Sequence, residues 1–337
     1  MADSLAVLVM GGGGFMGART ARALGAAGHR VSVLTRGLQP LPDGVAPLVA
    51  DRLDAESLAR ALDGRRFDLT VDFLAFDRDD IERLLLLPHA ALGRYVMISS
   101  GQVYLVAEGS RAPHVEAMAD AKLTPEPARD SPDHAEWSYG VGKRRAELAV
   151  FALRATHGLR GLVLRIPIVQ GTGDPSLRLW AWIERVLDGG PLLLPDGGTR
   201  LVRHVLADDV ARAAVWLADH APPERAVYNL AQPEMLTLRE WLENLMRMIG
   251  SVRPIVPMDW DALLASGLES NFAPYAGRWA SVPDPTRLQQ EWGFEPTPMN
   301  VYLPEVVRQH LEHRPTASHR GYAQRALELE LAGRFMK

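Results

Sequence analysis

A tyrosine and a lysine four residues apart, Tyr139 and Lys143, are the side chains of this sequence best suited to acid–base chemistry. Residues i and i+4 share one face of a helix. A phenol, with a pKa of about 10, exchanges protons near neutral pH only if that pKa is lowered, and a nearby ammonium lowers it by favouring the phenolate. Because the chain has only three lysines, such a pair arises by chance with a probability of about 0.06. We therefore predict a proton-transfer pair rather than a surface pair.

Three glycines near the start of the chain could bind a diphosphate. Gly11, Gly14 and Gly17 follow the apolar run at residues 5–10 and precede an alanine-rich helical segment. Backbone N–H groups at a helix N-terminus bind phosphate where no Cβ obstructs them. In this spacing Gly11 makes the tight turn, Gly14 lets the backbone approach the pyrophosphate and Gly17 lets helix and strand pack closely. A flexible turn is the alternative, but the flanking strand and helix favour dinucleotide binding.

The residues after the second and third predicted strands bear on the choice of cofactor. The second strand ends in Thr35-Arg36-Gly37, where the adenosine ribose of a dinucleotide would lie. A carboxylate there binds the 2′-hydroxyl of NAD, whereas an arginine accommodates the 2′-phosphate of NADP. Arg36 therefore predicts NADP, with NAD as the alternative if Arg36 is only a solvated turn residue. Asp51 could hydrogen-bond the adenine edge or cap the next helix.

The elements that must position these residues alternate along the chain. Apolar segments predict strands at residues 5–10, 31–34, 47–50, 69–75, 95–100, 162–166 and 227–230. Helical segments lie between them at 54–62, 77–87, 137 to about 156 and 205–219. This alternation is typical of an α/β protein with a Rossmann-type, doubly wound parallel sheet. Ligands bind at the carboxyl ends of such strands, where we expect Gly11, Arg36, Asp51, Ala75 and Ser100.

Other segments predict the domain organisation. We expect an NAD(P)-binding domain at residues 1–166 with a return segment at 201–231, and a smaller substrate-binding lobe at 167–200 and 232–315. An amphipathic extension at 316–337 could pack on the body or on a partner subunit. The connection at 105–136 is long for a compact domain and predicts a substrate lid in which His114 and His134 are solvated. Asp208 and Asp209 are expected to cap a helix rather than bind a metal.

Composition excludes several classes of site. The chain has no cysteine, which rules out disulfides, thiolate zinc sites and cysteine nucleophiles. Its formal net charge of −4 gives no bulk electrostatic reason to bind nucleic acid or an anionic membrane. No apolar stretch approaches the roughly 20 residues of a membrane helix, and Asp3 with a six-residue apolar run does not match a signal peptide. We expect a cytoplasmic protein without a metal site.

Four motifs together resemble a known family. The glycine motif at residues 11–17, Ser99-Ser100-x-x-Val103-Tyr104, Tyr139-x-x-x-Lys143 and the Asp-Asp-Val-Ala segment at 208–211 occur in the order seen in extended short-chain dehydrogenase/reductases. These include the NAD-dependent epimerase/dehydratase group, and the resemblance covers roughly residues 5–315. The ends of the second and fourth strands are similar to a branch that includes chloroplast stem-loop-binding proteins.

The resemblance implies a role for each motif. Tyr139 would exchange a proton with the substrate oxygen, Lys143 would lower the Tyr139 pKa and hold the nicotinamide ribose, and Ser100 would hydrogen-bond the substrate oxygen. Hydride and proton would then interconvert a secondary alcohol and a ketone. The implied contacts with the dinucleotide come from Gly11, Gly14, Phe15, Met16, Gly17, Arg36, Asp51, Arg52, Leu74, Ala75, Ser99, Tyr139, Lys143 and Ile166.

Departures from the family pattern bear on the substrate. No asparagine precedes Asn229, so the family's asparagine-supported proton relay is absent or built otherwise. The segment 165–170 also lacks the asparagine usual in nucleotide-sugar enzymes, which weakens that interpretation. We predict a small-molecule substrate, such as a sugar or nucleotide sugar, for a reductase, epimerase or dehydratase. The alternative is a non-catalytic, dinucleotide-binding regulatory or RNA-binding protein. The resemblance is also compatible with a homodimer.

Overall fold

The alternation of strands and helices expected from the sequence is present in the structure, a computed structural model that describes residues 4–87 and 92–336. In chain order the strands are β1 Ala6–Met10, β2 Arg30–Thr35, β3 Ala46–Val49, β4 Leu69–Asp72, β5 Arg94–Ser100, β6 Arg160–Ile166, β7 Ile168–Gln170, β8 Leu192–Pro195, β9 Leu201–Val202, β10 His204–Leu206, β11 Val227–Asn229, β12 Leu236–Thr237 and β13 Ile255–Met258. The helices are α1 Phe15–Ala26, α2 Ala55–Leu62, α3 Arg78–Glu82, α4 Gln102–Leu105, α5 Pro132–His157, α6 Arg178–Leu187, α7 Ala207–Asp219, α8 Leu238–Ile249, α9 Trp260–Ala265, α10 Thr286–Trp292, α11 Met299–Glu312 and α12 Arg325–Phe335. Among the short 3₁₀ turns are Arg83–Leu86 and Glu116–Asp120.

Seven of these strands form one sheet in the order β11-β6-β5-β4-β1-β2-β3, and every pair is parallel. The strand order reverses between β1 and β4, which makes the carboxyl ends of these two strands the topological switch point where ligands of such sheets bind. The doubly wound Rossmann-type sheet expected from the sequence is therefore confirmed.

Apolar side chains on both faces of the sheet explain why its strands are continuously apolar. Successive residues of a strand point to opposite faces. In β1, Val7 and Val9 join a core with residues of α1 and α7, whereas Leu8 and Met10 join a core with residues of α2 and α5. Helices cover both faces, as parallel sheets require.

Three element boundaries differ from the sequence prediction. Helix α5 begins before the predicted start at Trp137, because Ser131 accepts the Asp133 N–H as N-cap and proline occupies the first helical position. Strand β4 ends at Asp72, whose Oδ1 accepts the Leu74 N–H at 2.7 Å and turns the chain. The helix predicted at 77–87 is α3 followed by the 3₁₀ turn Arg83–Leu86.

The long connection at 105–136 is packed at its centre. His114 is buried and its ring stacks on Tyr104, with centroids 5.1 Å apart. The prediction that His114 is solvated is therefore wrong. Asn229 Nδ2 donates to the His114 carbonyl at 2.9 Å, and this hydrogen bond holds the segment at the sheet. His134 is partly exposed, and its Nε2 lies 3.1 Å from Glu126 Oε1.

The chain divides into two compact units. Unit 1 comprises the chain up to Val169 with Val205–Ala231 and Pro283–Pro296, and it contains the seven-stranded sheet. The sequence analysis assigned the last of these segments to the substrate-binding lobe, but its helix α10 packs in unit 1, where Trp292 stacks on Trp216 at 4.6 Å.

Unit 2 comprises Gln170–His204, Gln232–Val282 and the chain from Thr297 onward. The C-terminal extension packs on this unit of its own chain. Arg185 of α6 and Glu328 of α12 form a buried ion pair at 2.5 Å, and Arg325 pairs with Asp188 at 2.7 Å. Across the described ranges, no helix is long and apolar enough to cross a membrane.

Candidate active site

The glycine turn after β1 has the geometry that a diphosphate needs. Gly11 has φ +87°, a conformation that favours glycine, and its carbonyl accepts the Gly14 N–H at 3.1 Å. A Cβ at Gly17 would lie 2.3 Å from the Gly11 oxygen, so only glycine allows this close packing. Gly14 is the N-cap of α1 and offers no side chain to the first-turn N–H groups, which suits an anionic ligand. Phe15 and Met16, at the start of α1, are half-buried.

Lys143 is fixed near this turn by two backbone carbonyls. Its Nζ donates to Ala75 O at 2.7 Å and to Ile98 O at 3.1 Å, beyond β4 and within β5, and the side chain is 3% exposed. Burial lowers the pKa of Lys143 to about 8, although Asp72 and Glu147 favour the charged form. Leu74, which precedes Ala75 in the chain, packs at the glycine turn, since a Cβ at Gly11 would lie 3.0 Å from the Leu74 side chain.

Tyr139 lies one turn before Lys143 on α5, as the spacing predicts. Its side chain is 39% exposed, and its ring centroid lies 6.0 Å from Lys143 Nζ. The structure therefore brings a solvent-accessible phenol and a buried ammonium together at the carboxyl edge of the sheet. A phenol beside an ammonium has the chemistry that proton exchange with a ligand requires.

Two glycines inside α5, which the sequence analysis did not single out, position this pair. A Cβ at Gly140 would lie 2.8 Å from Val106 Cγ1, and one at Gly142 would lie 2.7 Å from the Phe76 carbonyl oxygen. Glycine in a helix interior lowers stability by about 0.5–1 kcal/mol relative to alanine. The two glycines between Tyr139 and Lys143 could therefore have predicted close packing from the sequence.

The two serines at the end of β5 have different environments. Ser100 is partly exposed, and its Oγ accepts the Gln102 N–H at 3.2 Å. Ser99 is buried and its Oγ donates to Glu147 Oε1 at 2.5 Å. Ser99 was expected to contact the dinucleotide. Its side chain points into the protein because neighbouring strand residues alternate between faces, and a contact through its backbone stays a prediction.

Arg52 is likewise engaged inside the protein and not at the cofactor edge. Its guanidinium is buried and donates to Asp72 Oδ2 at 2.5 Å and to the Asp80 carbonyl at 2.7 Å. Tyr95 Oη donates to the same Asp72 oxygen at 2.6 Å. This buried network holds the guanidinium, and the expected contact between Arg52 and a dinucleotide stays a prediction.

Other expected cofactor residues lie along the carboxyl edge of unit 1. Arg36 is exposed at the end of β2. Asp51 is exposed, and its Oδ1 accepts the Leu53 N–H at 2.9 Å; the cap of α2 is Asp54 instead. Ile166 ends β6, where its carbonyl accepts the Gly101 N–H at 2.8 Å.

A buried ion pair that was not predicted from the sequence lies near Lys143. Glu147, one turn after Lys143, pairs with Arg165 of β6 at 2.6 Å. Arg165 also donates to Tyr104 Oη at 3.1 Å, and Tyr104 donates to Asn229 Oδ1 at 2.6 Å. The first asparagine of the chain therefore belongs to this network.

The paired aspartates have a structural role in α7. Asp208 and Asp209 lie in its first turn, two and three positions after the N-cap Leu206, where carboxylates stabilise the helix dipole. Asp209 is buried and pairs with Arg212 at 2.5 Å. Among the residues that the structure describes, no cluster of three or more histidine, aspartate or glutamate side chains is placed to hold a metal ion.

The sequence matches the model of the NAD dependent epimerase/dehydratase family over residues 7–231. The 2′-dehydrokanamycin reductase of Streptomyces kanamyceticus is 29% identical over 290 residues, which cover 84% of this chain and 77% of that protein. The 3-diazoavenalumate denitrifying reductase of a Streptomyces species is 29% identical over 263 residues, which cover 74% of this chain and 83% of that protein.

The fold is similar to that of solved enzymes. The crystal structure of dTDP-glucose 4,6-dehydratase from Bacillus anthracis in complex with NAD aligns with a TM-score of 0.70. It is 18% identical, and the alignment covers 92% of this chain and 98% of the dehydratase. At that identity the likeness supports the fold alone.

Proposed function

The chain belongs to the NAD-dependent epimerase/dehydratase family, and from that premise we propose that Tyr139 exchanges a proton with the oxygen of a small-molecule substrate. The family and the two reductase relatives identify the chain as an NAD(P)-dependent oxidoreductase, in agreement with the resemblance inferred from the sequence. The non-catalytic alternative is therefore not carried further. The observation that carries the proposed role is the pairing of exposed Tyr139 with buried Lys143.

The residues of unit 1 suit a proton transfer coupled to hydride transfer. The bound nicotinamide dinucleotide would supply or accept the hydride. In ketone reduction the Tyr139 hydroxyl gives its proton to the carbonyl oxygen, and in alcohol oxidation the phenolate takes a proton back. The Lys143 ammonium favours the phenolate form of Tyr139, more strongly in a buried site than in water. Ser100 Oγ donates a hydrogen bond to the same substrate oxygen.

The cofactor is a nicotinamide dinucleotide, and we propose that it is NADP. The glycine turn at Gly11, Gly14 and Gly17 would hold the diphosphate, and Asp51 the adenine edge. Arg36 supports NADP because it is exposed at the end of β2, where a 2′-phosphate would lie. Ala75, Ile166 and Leu74 would border the nicotinamide half of the molecule.

We propose a hydroxylated substrate, such as a sugar or a molecule that contains one. The similarity to the 2′-dehydrokanamycin reductase of Streptomyces kanamyceticus supports this class. Unit 2 is proposed to be the substrate-binding lobe, and the segment at 105–136 to contribute a lid. A homodimer is proposed as the assembly, which light scattering would test.

Turnover of candidate substrates tests the proposal. The purified protein would be incubated with 2′-dehydrokanamycin and NADPH or NADH, and with dTDP-glucose and the oxidised dinucleotides. Oxidation or reduction of the nicotinamide, or conversion of the sugar, is expected in the wild type. Tyr139→Phe is expected to lower the rate by about 10²–10⁴-fold while dinucleotide binding persists. A Tyr139→Phe protein with the wild-type rate would overturn the catalytic assignment.

A further inference from the structure

Phe76 places its ring against the ammonium of Lys143. The ring centroid lies 4.7 Å from Lys143 Nζ, within the range of a cation–π interaction. Phe76 directly follows Ala75, whose carbonyl accepts a hydrogen bond from the same Nζ at 2.7 Å. The ring is itself 49% exposed, so burial of apolar surface does not explain its position.

The backbone of Phe76 is fixed by its neighbours. Its N–H donates to Asp80 Oδ2 at 2.8 Å, inside the cap of α3. A Cβ at Gly142 would lie 2.7 Å from the Phe76 carbonyl oxygen, so α5 packs directly against this residue. Phe76 and Lys143 are therefore held together by the same close contact between α5 and the end of β4.

Among the residues that the structure describes, the Phe76 ring is the nearer of two rings placed against Lys143 Nζ, since the Tyr139 ring centroid lies at 6.0 Å. The carbonyls of Ala75 and Ile98 accept two of the three ammonium protons. Asp72 of β4, Glu147 of α5 and Asp80 of α3 favour the charge from within the protein, and Arg52 opposes it. The Phe76 ring, unlike these charged groups and carbonyls, turns a negative π face toward the ammonium.

We propose that Phe76 is a positioning residue for the reaction, because the π face of its ring keeps Lys143 in the ammonium form. The inference deepens the proposed function, since it rests on Lys143 acting on Tyr139.

The effect is measurable because the ammonium of Lys143 is close to losing its proton. Burial lowers its pKa to about 8, so a small stabilisation changes the charged fraction near neutral pH. Replacing the ring by an aliphatic side chain of similar bulk removes the π face but keeps the apolar cover. Phe76→Leu is therefore expected to lower the Lys143 pKa by roughly half a unit or more.

Lysine side-chain NMR tests this without cofactor or substrate. The chain has three lysines, so protein labelled with [ε-¹³C]lysine has three side-chain signals. Lys122→Arg and Lys337→Arg identify two of them and leave the third as Lys143. The pKa of Lys143 would be read from pH titrations of wild type, Phe76→Leu and Phe76→Tyr, with Lys122 as the internal control signal.

The proposal expects a lower Lys143 pKa in Phe76→Leu and a value close to wild type in Phe76→Tyr, which keeps the ring. Phe76→Met repeats the test if the leucine variant does not fold. An unchanged or higher pKa in the aliphatic variants, or equal shifts in Phe76→Leu and Phe76→Tyr, would overturn the proposal. The readout is independent of turnover, so failure of the catalytic role of Tyr139 would be seen separately, in the activity of Tyr139→Phe.

A kinetic readout follows from the same reasoning. If the Lys143 ammonium is needed for turnover, kcat/KM falls as pH rises through its pKa. Phe76→Leu should move this alkaline limb to lower pH by the shift that NMR reports, whereas a purely structural role would lower the rate equally at every pH.

Discussion

Gly142 packs against the carbonyl oxygen of Phe76 so closely that a Cβ at Gly142 would lie 2.7 Å from it. This contact brings α5 onto the end of β4 and thereby places Lys143 over the Ala75 carbonyl. The position of Lys143 thus depends on a close approach between backbones. The glycines of the Tyr-Gly-Val-Gly-Lys segment permit this approach because they have no Cβ.

Alanine at position 142 is expected to destabilise the protein. The added Cβ would meet a backbone oxygen that cannot rotate away, and such overpacking costs about 1–3 kcal/mol. Urea unfolding of Gly142→Ala measures this loss. Gly25→Ala is the matched control, because a Cβ at Gly25, also within a helix, meets nothing within 4 Å. It should be neutral or stabilising, and equal losses in both variants would contradict the steric account.

Removal of the Glu147 charge should be strongly destabilising. Glu147 and Arg165 are both buried, and Glu147→Gln would leave the guanidinium without its counter-charge, at a cost of about 3–5 kcal/mol. Chemical unfolding measures the change. Glu305→Gln, in an exposed pair with Arg308, should have no measurable effect. A small loss in Glu147→Gln would show that the buried pair is not needed to hold β6 on α5.

Cofactor preference should depend on Arg36. Arg36→Ala is expected to weaken NADPH binding about 10–100-fold, the usual value of a hydrogen bond to a charged group, and to leave NADH binding unchanged. Fluorescence titration of cofactor-stripped protein measures both. Arg30→Ala, at the opposite end of β2, is the control for loss of a surface charge. A wild type that prefers NADH would make Arg36 a surface residue only.

Stability should rise with pH through the titration of Lys143. Burial lowers its folded-state pKa from 10.5 to about 8, so between these values the unfolded chain binds more protons than the folded one. Stability from this group therefore increases across that window, by up to about 3 kcal/mol. The difference in unfolding free energy between wild type and Lys143→Met isolates the effect. A difference that is flat from pH 8 to 10.5 would show that the ammonium is not desolvated.

The sheet and the Tyr139–Lys143 pair were predictable because both depend on local periodicity. Alternating apolar strands and helices predicted the doubly wound sheet, and a four-residue spacing placed two side chains on one helix face. The same logic could have found Glu147, which lies four residues after Lys143.

Residues with partners far along the chain were not predictable. Arg52 is held by Asp72 and Asp80, and His114 lies on Tyr104 near Asn229. These contacts form only when the sheet brings distant segments together, so local sequence placed His114 in solvent and could not show that the Arg52 guanidinium is held inside the protein. Strand alternation predicts that Ser99 and Ser100 point to opposite faces of the sheet. It does not predict which of the two faces the core.

The central claim, that Lys143 prepares Tyr139 for proton exchange, is tested most directly by titrating Tyr139 itself. Protein labelled with [ζ-¹³C]tyrosine would be titrated by NMR, with Tyr139→Phe identifying the signal. The account predicts a Tyr139 pKa below that of an ordinary tyrosine, and a return toward the ordinary value in Lys143→Met. An ordinary pKa in the wild type that Lys143→Met leaves unchanged would contradict it.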